Sequence, residues 1–412
     1  MYTELSKVFY SNNADYEITY KKRYDDPYSI HLDFVVAGHP VFFLQLPELL
    51  NKIINIRRID KSIHMISNEI PGVALDQFVI RCLIDEIEIT NGIEGVHSSR
   101  REISAILSDL RTEKANKRLW GIVHKYLMLM NKETIEFGSC EDIRNIFDEL
   151  VSAEIEADDP KDLPDGKIFR KDSTSVQTAT QREIHRGVFP ESAIISSMER
   201  ALAILKDETI EIFFRIALFH YFFGYIHPFY DGNGRVSRFI SSYLLSRELE
   251  SIVGYRLSYT IRDNLSEYNK AFEICNHPNN RGDLTPFLIM FIGVIEKSMI
   301  LLRGALEKRK SEYKIYLNVI PYLHNGTSEK YKPIYDLLIQ ASLFSDEGIP
   351  TSDLMRVLNI SSRGTLRTRL DGLEKGLLKV DKKRENYYQI DLAVLNLIMK
   401  ELAERDNDIY KA

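Results

Sequence analysis

The sequence predicts a mainly α-helical protein of two to three domains, and three observations carry that expectation. At 412 residues the chain is long enough for more than one core. From Leu46 onward apolar residues recur at helical spacing through most of the chain. The stretch Ile210 to Phe223 is largely apolar, the pattern of a helix buried nearly all round.

Taken in order, residues 1 to 70 are mixed. Tyr28 to Phe43 reads as a short hairpin, because Gly38-His39-Pro40 separates two apolar segments. Leu75 to Glu88 holds no glycine or proline and carries Phe78, Ile80, Leu83, Ile84 and Ile87 near helical spacing. Arg101 to Met130 reads as one or two helices with Ile103, Ile106, Leu107 and Leu110 on one face. Ile155 to Asp172 is rich in Asp, Lys, Pro and Gly and reads as a loop. Phe239 to Leu249 is helical, and Asp283 to Leu306 holds one more long helix. Charge rises at Lys308-Arg309-Lys310, which sets expected divisions at 1–70, 71–307, a linker over 308–328 and a last module over 329–400.

That last module has its own plan. Ile334 to Leu343 is one helix, and Thr351 to Leu358 a second, capped by Thr351 or Ser352. A third starts at Ser361 or Ser362 and runs to Lys375 with Leu366, Leu370 and Leu373 inward. Short strands at Leu377 to Val380 and Tyr387 to Ile390 flank a charged turn. The order resembles a winged helix-turn-helix. From 351 to 385 basic residues outnumber acidic ones nine to five. Arg363, Arg367 and the wing lysines Lys382 and Lys383 stand where DNA phosphate contacts would be. The same module serves equally for protein contact or homodimer packing.

Composition narrows the classes. The chain is 44% hydrophobic and 28% charged with a net charge of −6, ordinary for a globular protein and unlike a nucleic-acid binder as a whole. Cys82, Cys140 and Cys275 are far apart, which leaves no disulfide framework and no zinc spacing and fits a reducing cytoplasm. The opening MYTELSKVFY is too polar for a signal peptide, and the apolar run Leu288 to Ile295 is too short to span a bilayer, so no membrane association is expected.

One stretch carries chemistry: His227-Pro228-Phe229-Tyr230-Asp231-Gly232-Asn233-Gly234-Arg235-Val236-Ser237-Arg238. His227 titrates near neutrality and can accept a hydroxyl proton. Pro228 stops a helix from running through it. Gly232-Asn233-Gly234 can wrap backbone N–H groups around an anion at the start of a helix. Arg235 and Arg238 fall on one face of that helix. Asp231 is a hard oxygen ligand suited to the Mg²⁺ that accompanies phosphates. Together they describe a phosphate cradle with a base at its lip.

The stretch resembles the signature of Fic-domain proteins, His-x-Phe-x-(Asp/Glu)-Gly-Asn-(Gly/Lys)-Arg-x-x-Arg, at every fixed position. The resemblance implies a Fic helical bundle with a short β-hairpin flap, and transfer of AMP from ATP to a Ser, Thr or Tyr hydroxyl of a target protein. His227 would then be the base and Asp231 the Mg²⁺ ligand. Gly232, Asn233 and Gly234 would form the anion hole, Arg235 would bind phosphates and Arg238 would meet the γ-phosphate. Phe229 would anchor the loop. Members that transfer phosphate tend to carry lysine where this chain has Gly234, so the resemblance favours AMP.

Upstream, Thr90-Asn91-Gly92-Ile93-Glu94-Gly95 resembles the family's inhibitory motif, on a helix around residues 85–97. It implies that Glu94 pairs with Arg238 and keeps it from the nucleotide. Val176 to His185 resembles the flap that clamps the target by strand addition. Tyr268-Asn269-Lys270-Ala271-Phe272 and the segment from Gly282 to Phe287 resemble the closing helices. The usual second tyrosine is Asn269 here, and Tyr268 and Asn276 are candidates either for adenosine contacts or for core and cap roles. The alternatives at this point are removal of AMP with Glu94 orienting a water, transfer of another nucleotide monophosphate, and an ATP-sensing DNA-binding regulator.

Overall fold

The computed structural model describes every residue except Met1, Asn12, 110–117, 178–182, Arg384 and 410–412. It is mainly helical, with small antiparallel sheets, and divides into two compact units: residues 1–61 with 83–302, and residues 62–82 with 303–412.

The first unit opens with α1 (Leu5–Ser11) and α2 (Asn13–Tyr24), followed by a hairpin of β1 (Ser29–Val36) and β2 (His39–Leu44). The hairpin turns on Ala37 and Gly38, both at positive φ, a two-residue connection whose twist suits the strands. Burial alternates along β1, and Phe34 stacks on Phe222 at 4.1 Å. α3 (Pro47–Asn68) and α4 (Gly72–Ile93) follow; the start of α3 and the end of α4 belong to this unit. Next come α5 (Arg100–Asp109) and α6 (Trp120–Met130). Residues 110–117, including Leu110 of the expected helical face, lie outside the described residues.

α7 (Cys140–Phe147) begins with a reciprocal cap. Ser139 Oγ accepts from Asp142 N at 3.1 Å, and Asp142 Oδ2 accepts from Ser139 N at 2.9 Å. A π-helical segment, Asp148–Ser152, leads without a break into α8 (Ala153–Asp158). The expected flap is present as β3 (Ser175–Gln177) and β4 (Glu183–Arg186), with its tip outside the described residues. α9 (Glu191–Lys206) packs on α10 (Ile212–Ile226), and α10 is buried on nearly every face as its composition requires. α11 (Asn233–Glu248), α12 (Leu257–Asp263) and α13 (Leu265–Asn276) complete the bundle around it.

α14 (Thr285–Leu317) runs through the position expected to start a linker at 308. No glycine or proline lies between Gly304 and Pro321, and the charged residues there decorate a continuing helix. The units divide at 302/303, and 62–82 joins the second, where the sequence suggested cuts near 70 and 308. The stretch Thr285–Tyr322 is also long and apolar enough to cross a membrane by composition, longer than the apolar run read from sequence, but 56% of its apolar window is buried inside the fold, as in a core helix.

The second unit packs Phe78 against Phe344 at 6.4 Å, with Arg309 over the Phe78 ring. Its order is α15 (Lys332–Phe344), β5 (Ile349–Pro350), α16 (Thr351–Val357), α17 (Arg363–Asp371), β6 (Leu378–Lys382), β7 (Asn386–Ile390) and α18 (Leu392–Ile409). The sheet order β5-β7-β6 adds a short strand that the sequence did not suggest. Ser362 caps α17 through Thr365 N. Neither Thr351 nor Ser352 caps α16. Pro350 sits at that position, and Glu385 accepts from Ser352 N and Oγ at 3.0 and 3.1 Å instead.

Candidate active site

His227 ends α10. Pro228 supplies no N–H and disfavours a right-handed helical conformation before it, and His227 takes the left-handed region (φ 52, ψ 62), its N–H donating to Phe223 O at 2.9 Å. Arg170, fully buried, holds the turn from outside. Its Nε donates to His227 O at 2.9 Å, its Nη2 to Val188 O at 2.7 Å, and its backbone N to Pro228 O at 3.2 Å. Val188 N in turn donates to Ile226 O at 3.0 Å, which joins the flap's base to the histidine turn. Gly187 makes this approach possible, since a Cβ there would lie 2.4 Å from Arg170 Nη2 and 3.0 Å from His227 Cβ. Sequence reading missed Arg170, whose loop carried no signal beyond its composition.

Burial, then the neighbouring His185 and Arg170, push the His227 imidazole down to about 4. It is therefore neutral at physiological pH and able to take a proton. His185, on β4, donates its Nε2–H to Tyr225 O at 2.6 Å.

The loop after His227 is fixed from within. Phe229 is fully buried and stacks on Phe147 at 4.0 Å. The Asn233 side chain staples the loop: Oδ1 accepts from Phe229 N at 3.0 Å and Nδ2 donates to Phe229 O at 2.8 Å. Asn233 thus shapes the loop through its amide, while the backbone at 232–234 opens α11. Gly232 precedes that helix at φ 78, a left-handed conformation that a side chain would strain.

Asp231 and Arg235 come together at this helix start. Asp231 Oδ1 accepts from Gly232 N at 2.6 Å, and Oδ2 accepts from Arg235 Nη2 at 3.0 Å. The other side of the buried Arg235 guanidinium, Nη1, donates to Glu154 of α8, a residue that sequence reading also missed. Among the described residues no group of three or more His, Cys, Asp or Glu could hold a metal ion. A single half-exposed carboxylate such as Asp231 suits a Mg²⁺ whose remaining ligands are phosphate oxygens and water.

Glu94, Gly234 and Arg238 form the second cluster. Glu94 follows the end of α4 in a turn closed by Gly95 at φ 76. Its Oε1 lies 2.7 Å from Arg238 Nη2. Thr90, one turn earlier, accepts from Arg238 Nε through its hydroxyl at 2.8 Å and from Nη2 through its carbonyl at 3.0 Å. Burial works against the Arg238 charge, but Glu94, Tyr268 and Tyr126 together leave the guanidinium above its ordinary value. Gly234 makes room: a Cβ there would lie 2.0 Å from Glu94 Oε1.

Tyr268 is buried beside the Glu94–Arg238 pair, and Asn276 is bonded elsewhere in the bundle. Ser241 Oγ donates to Ser237 O, so His220 Nδ1 donates to Ser241 Oγ and His220 Nε2 accepts from Tyr268 OH at 2.7 Å. Asn276 Oδ1 accepts from Tyr221 OH at 2.7 Å. Both side chains are tied into the core of the bundle. Glu86, fully buried two turns before Glu94 on α4, accepts from Ser258 N and Oγ, and burial pushes its carboxyl up to about 7.

In the second unit, several basic residues between 351 and 385 meet carboxylates. Lys379 pairs with Asp391 at 3.0 Å, Lys383 with Glu347 at 3.0 Å and Arg356 with Asp353 at 3.0 Å; Arg367 lies 3.9 Å from Asp371. Arg384 lies outside the described residues.

Comparison with known proteins agrees with this geometry. The Fic/DOC family model matches residues 139–245. Protein adenylyltransferase Fic of Drosophila melanogaster is 32% identical over 106 residues, 26% of this chain and 20% of that protein. Its counterpart in Drosophila grimshawi is 35% identical over 83 residues, 20% of this chain and 15% of that protein. The matched region therefore spans a fifth or less of the length of these curated relatives. A Fic family protein from Desulfovibrio desulfuricans G20 superposes with a TM-score of 0.51 over 84% of this chain and 96% of that one, at 18% identity, a likeness of fold. With the signature loop at the start of α11, and with these likenesses, residues 139–245 are a Fic/DOC domain.

Proposed function

We propose that this protein is an adenylyltransferase that moves AMP from ATP to a hydroxyl of a target protein, and that Glu94 holds it in check. The observation that carries the reading is the opposition of two clusters across one helix start. A neutral His227 stands at the lip of the loop that opens α11, while Arg238, one turn into the same helix, is captured by Glu94. His227 takes the proton from the acceptor hydroxyl. The hydroxyl oxygen bonds to the α-phosphorus, the α–β bridging P–O bond breaks, and pyrophosphate leaves with the electron pair. The α11 N-terminus faces the phosphates with its N–H groups. Asp231 would hold Mg²⁺, which would neutralise phosphate charge. Such transfers are mostly positioning and charge neutralisation around one base. The curated relatives, named protein adenylyltransferases, support this chemistry, and Gly234 supports AMP over phosphate.

Inhibition follows from occupancy. A guanidinium held by Glu94 and Thr90 is not available to a γ-phosphate, so the bound nucleotide lies wrongly for attack. We read the second unit as a winged helix used for protein contact, because carboxylates lie against several of its basic residues.

Self-modification with α-labelled ATP and Mg²⁺ tests the reading on wild type, Glu94→Gly and Glu94→Gly/His227→Ala. Label on Glu94→Gly alone is expected. Label that persists without His227 would remove the base from its role, and absence of label from every form that still binds ATP would favour AMP removal or another nucleotide.

A further inference from the structure

The helical run from α7 through the π segment to α8 grips the signature loop with one face. Phe147 stacks on Phe229, and a Cβ at Gly232 would lie 3.0 Å from Val151 Cγ2, 3.2 Å from Ile155 Cδ1 and 3.2 Å from Phe147 Cε2. Three of these four contacting residues are apolar. The fourth, Glu154, is a buried carboxylate, and it accepts from Arg235 Nη1. Arg235 is buried too, and its other amino group reaches Asp231 Oδ2 at 3.0 Å. One guanidinium therefore lies between two carboxylates of unequal access: the Glu154 side chain is 9% exposed and that of Asp231 is 44% exposed.

The inequality has an electrostatic meaning. A buried guanidinium must be paired. With Asp231 as its sole partner, Arg235 would neutralise the carboxylate that a divalent cation needs. With Glu154 meeting the same charge from inside the fold, the three groups together keep one negative charge, and the accessible carboxylate is the one free to exchange partners. The π segment at Asp148–Ser152 contributes to the aim. Each residue of an α-helix turns the chain by about 100°, so the wider π turn changes which side chain faces Arg235.

We propose that Glu154 is a positioning residue that holds Arg235 from behind and so leaves Asp231 able to take the divalent cation of a metal–nucleotide pair. The inference rests on the nucleotide-transfer reading above. It assigns Glu154 no contact with substrate.

The test is made on the full chain carrying Glu94→Gly as parent. Free Mn²⁺ is followed by electron paramagnetic resonance during titration in the presence of an ATP analogue with a methylene bridge between the α- and β-phosphorus atoms. Glu154→Gln keeps the size and one acceptor oxygen but removes the charge. It should weaken Mn²⁺ binding by about tenfold to a hundredfold, the usual cost of losing a group that supports a ligand. In labelling assays it should raise the KM for Mg²⁺–ATP while leaving the pH limb of kcat in place, and its thermal melt should stay near that of the parent. Should Glu154→Gln fail to fold, Glu154→Asp, which keeps the charge but draws it back, gives the same comparison with a smaller loss. A folded Glu154→Gln that binds Mn²⁺ with its nucleotide as tightly as the parent overturns the inference and leaves the transferase reading intact. A parent that binds no Mn²⁺–nucleotide overturns both.

Discussion

Gly234→Ala is the substitution that interrogates the inhibitory contact most directly. The new Cβ would fall 2.0 Å from Glu94 Oε1 and 2.8 Å from Arg238 Nη1. Both atoms end flexible side chains, so the fold can yield without moving backbone, and alanine is a better helix former than glycine by about 1 kcal/mol. What yields is the Glu94–Arg238 pair. A hydrogen bond to a charged group contributes about 1.5–3 kcal/mol, and each 1.4 kcal/mol is a factor of ten. Labelling by Gly234→Ala should therefore exceed wild type by about one to two decades, with little change in melting temperature. The control is a double-mutant cycle with Glu94→Gly. Once the glutamate is gone the methyl has nothing to displace there, so the two changes should not add, and any penalty the methyl exerts on phosphate binding appears alone in the Glu94→Gly background. Measured rates that multiply across the cycle, or a Gly234→Ala protein as silent as wild type, would refute the reasoning.

The imidazole of His227, depressed to about 4 by burial, should give kcat/KM for ATP a low-pH limb near that value; in kcat the limb should lie higher, because bound phosphates favour the protonated ring, and a pH-rate series on Glu94→Gly checks both. Glu86 has a folded pKa near 7, above its unfolded value, so the wild-type fold loses stability as pH rises through that range; Glu86→Gln should melt like wild type at pH 5 and higher than wild type at pH 8.5, and a difference independent of pH would contradict the assignment. Gly187→Ala, driven into Arg170 Nη2 at 2.4 Å, should lower labelling in the Glu94→Gly background by at least about tenfold through a displaced His227, with the nucleotide affinity measured by calorimetry unchanged. In an electrophoretic shift assay with random DNA, the chain should show binding only at low salt, since the second unit pairs Lys379, Lys383 and Arg356 internally.

The loop's geometry was legible in sequence where it is local. Residues 227–238 form one loop and one helix turn, so their order along the chain is nearly their order in space. The pairing of Glu94 with Arg238 spans much of the bundle, and only the likeness to a known motif suggested it. Arg170 and Glu154 were not legible, because an isolated arginine in a polar loop and a glutamate in an acidic helix look like solvated surface until folding buries them against His227 and Arg235. Tyr268 and Asn276 had two readings in the sequence, and the structure gives their bonds to His220 and Tyr221, with Tyr268 also beside Arg238. The end of α14 was misread because lysines and arginines after Leu306 look like a linker, although nothing in that stretch breaks a helix.

The hairpin at the start of the chain sets a lower bound on what can be cut out and still work. Phe42 N donates to Gly282 O at 3.1 Å and Leu284 N to Phe42 O at 2.8 Å, so the two segments run side by side. Between those bonds sits Asp283, wholly buried, accepting from Tyr2 OH and from Arg23 at 3.3 Å. A recombinant fragment that lacks the first forty-five residues would strand that carboxylate in apolar surroundings and bare the flank of the closing helices, and one trimmed to residues 139–245 would lose Asp283 and those helices altogether. The recognisable stretch is thus a label and not a cassette: the fold around it depends on residues far outside 139–245, the leading ones among them.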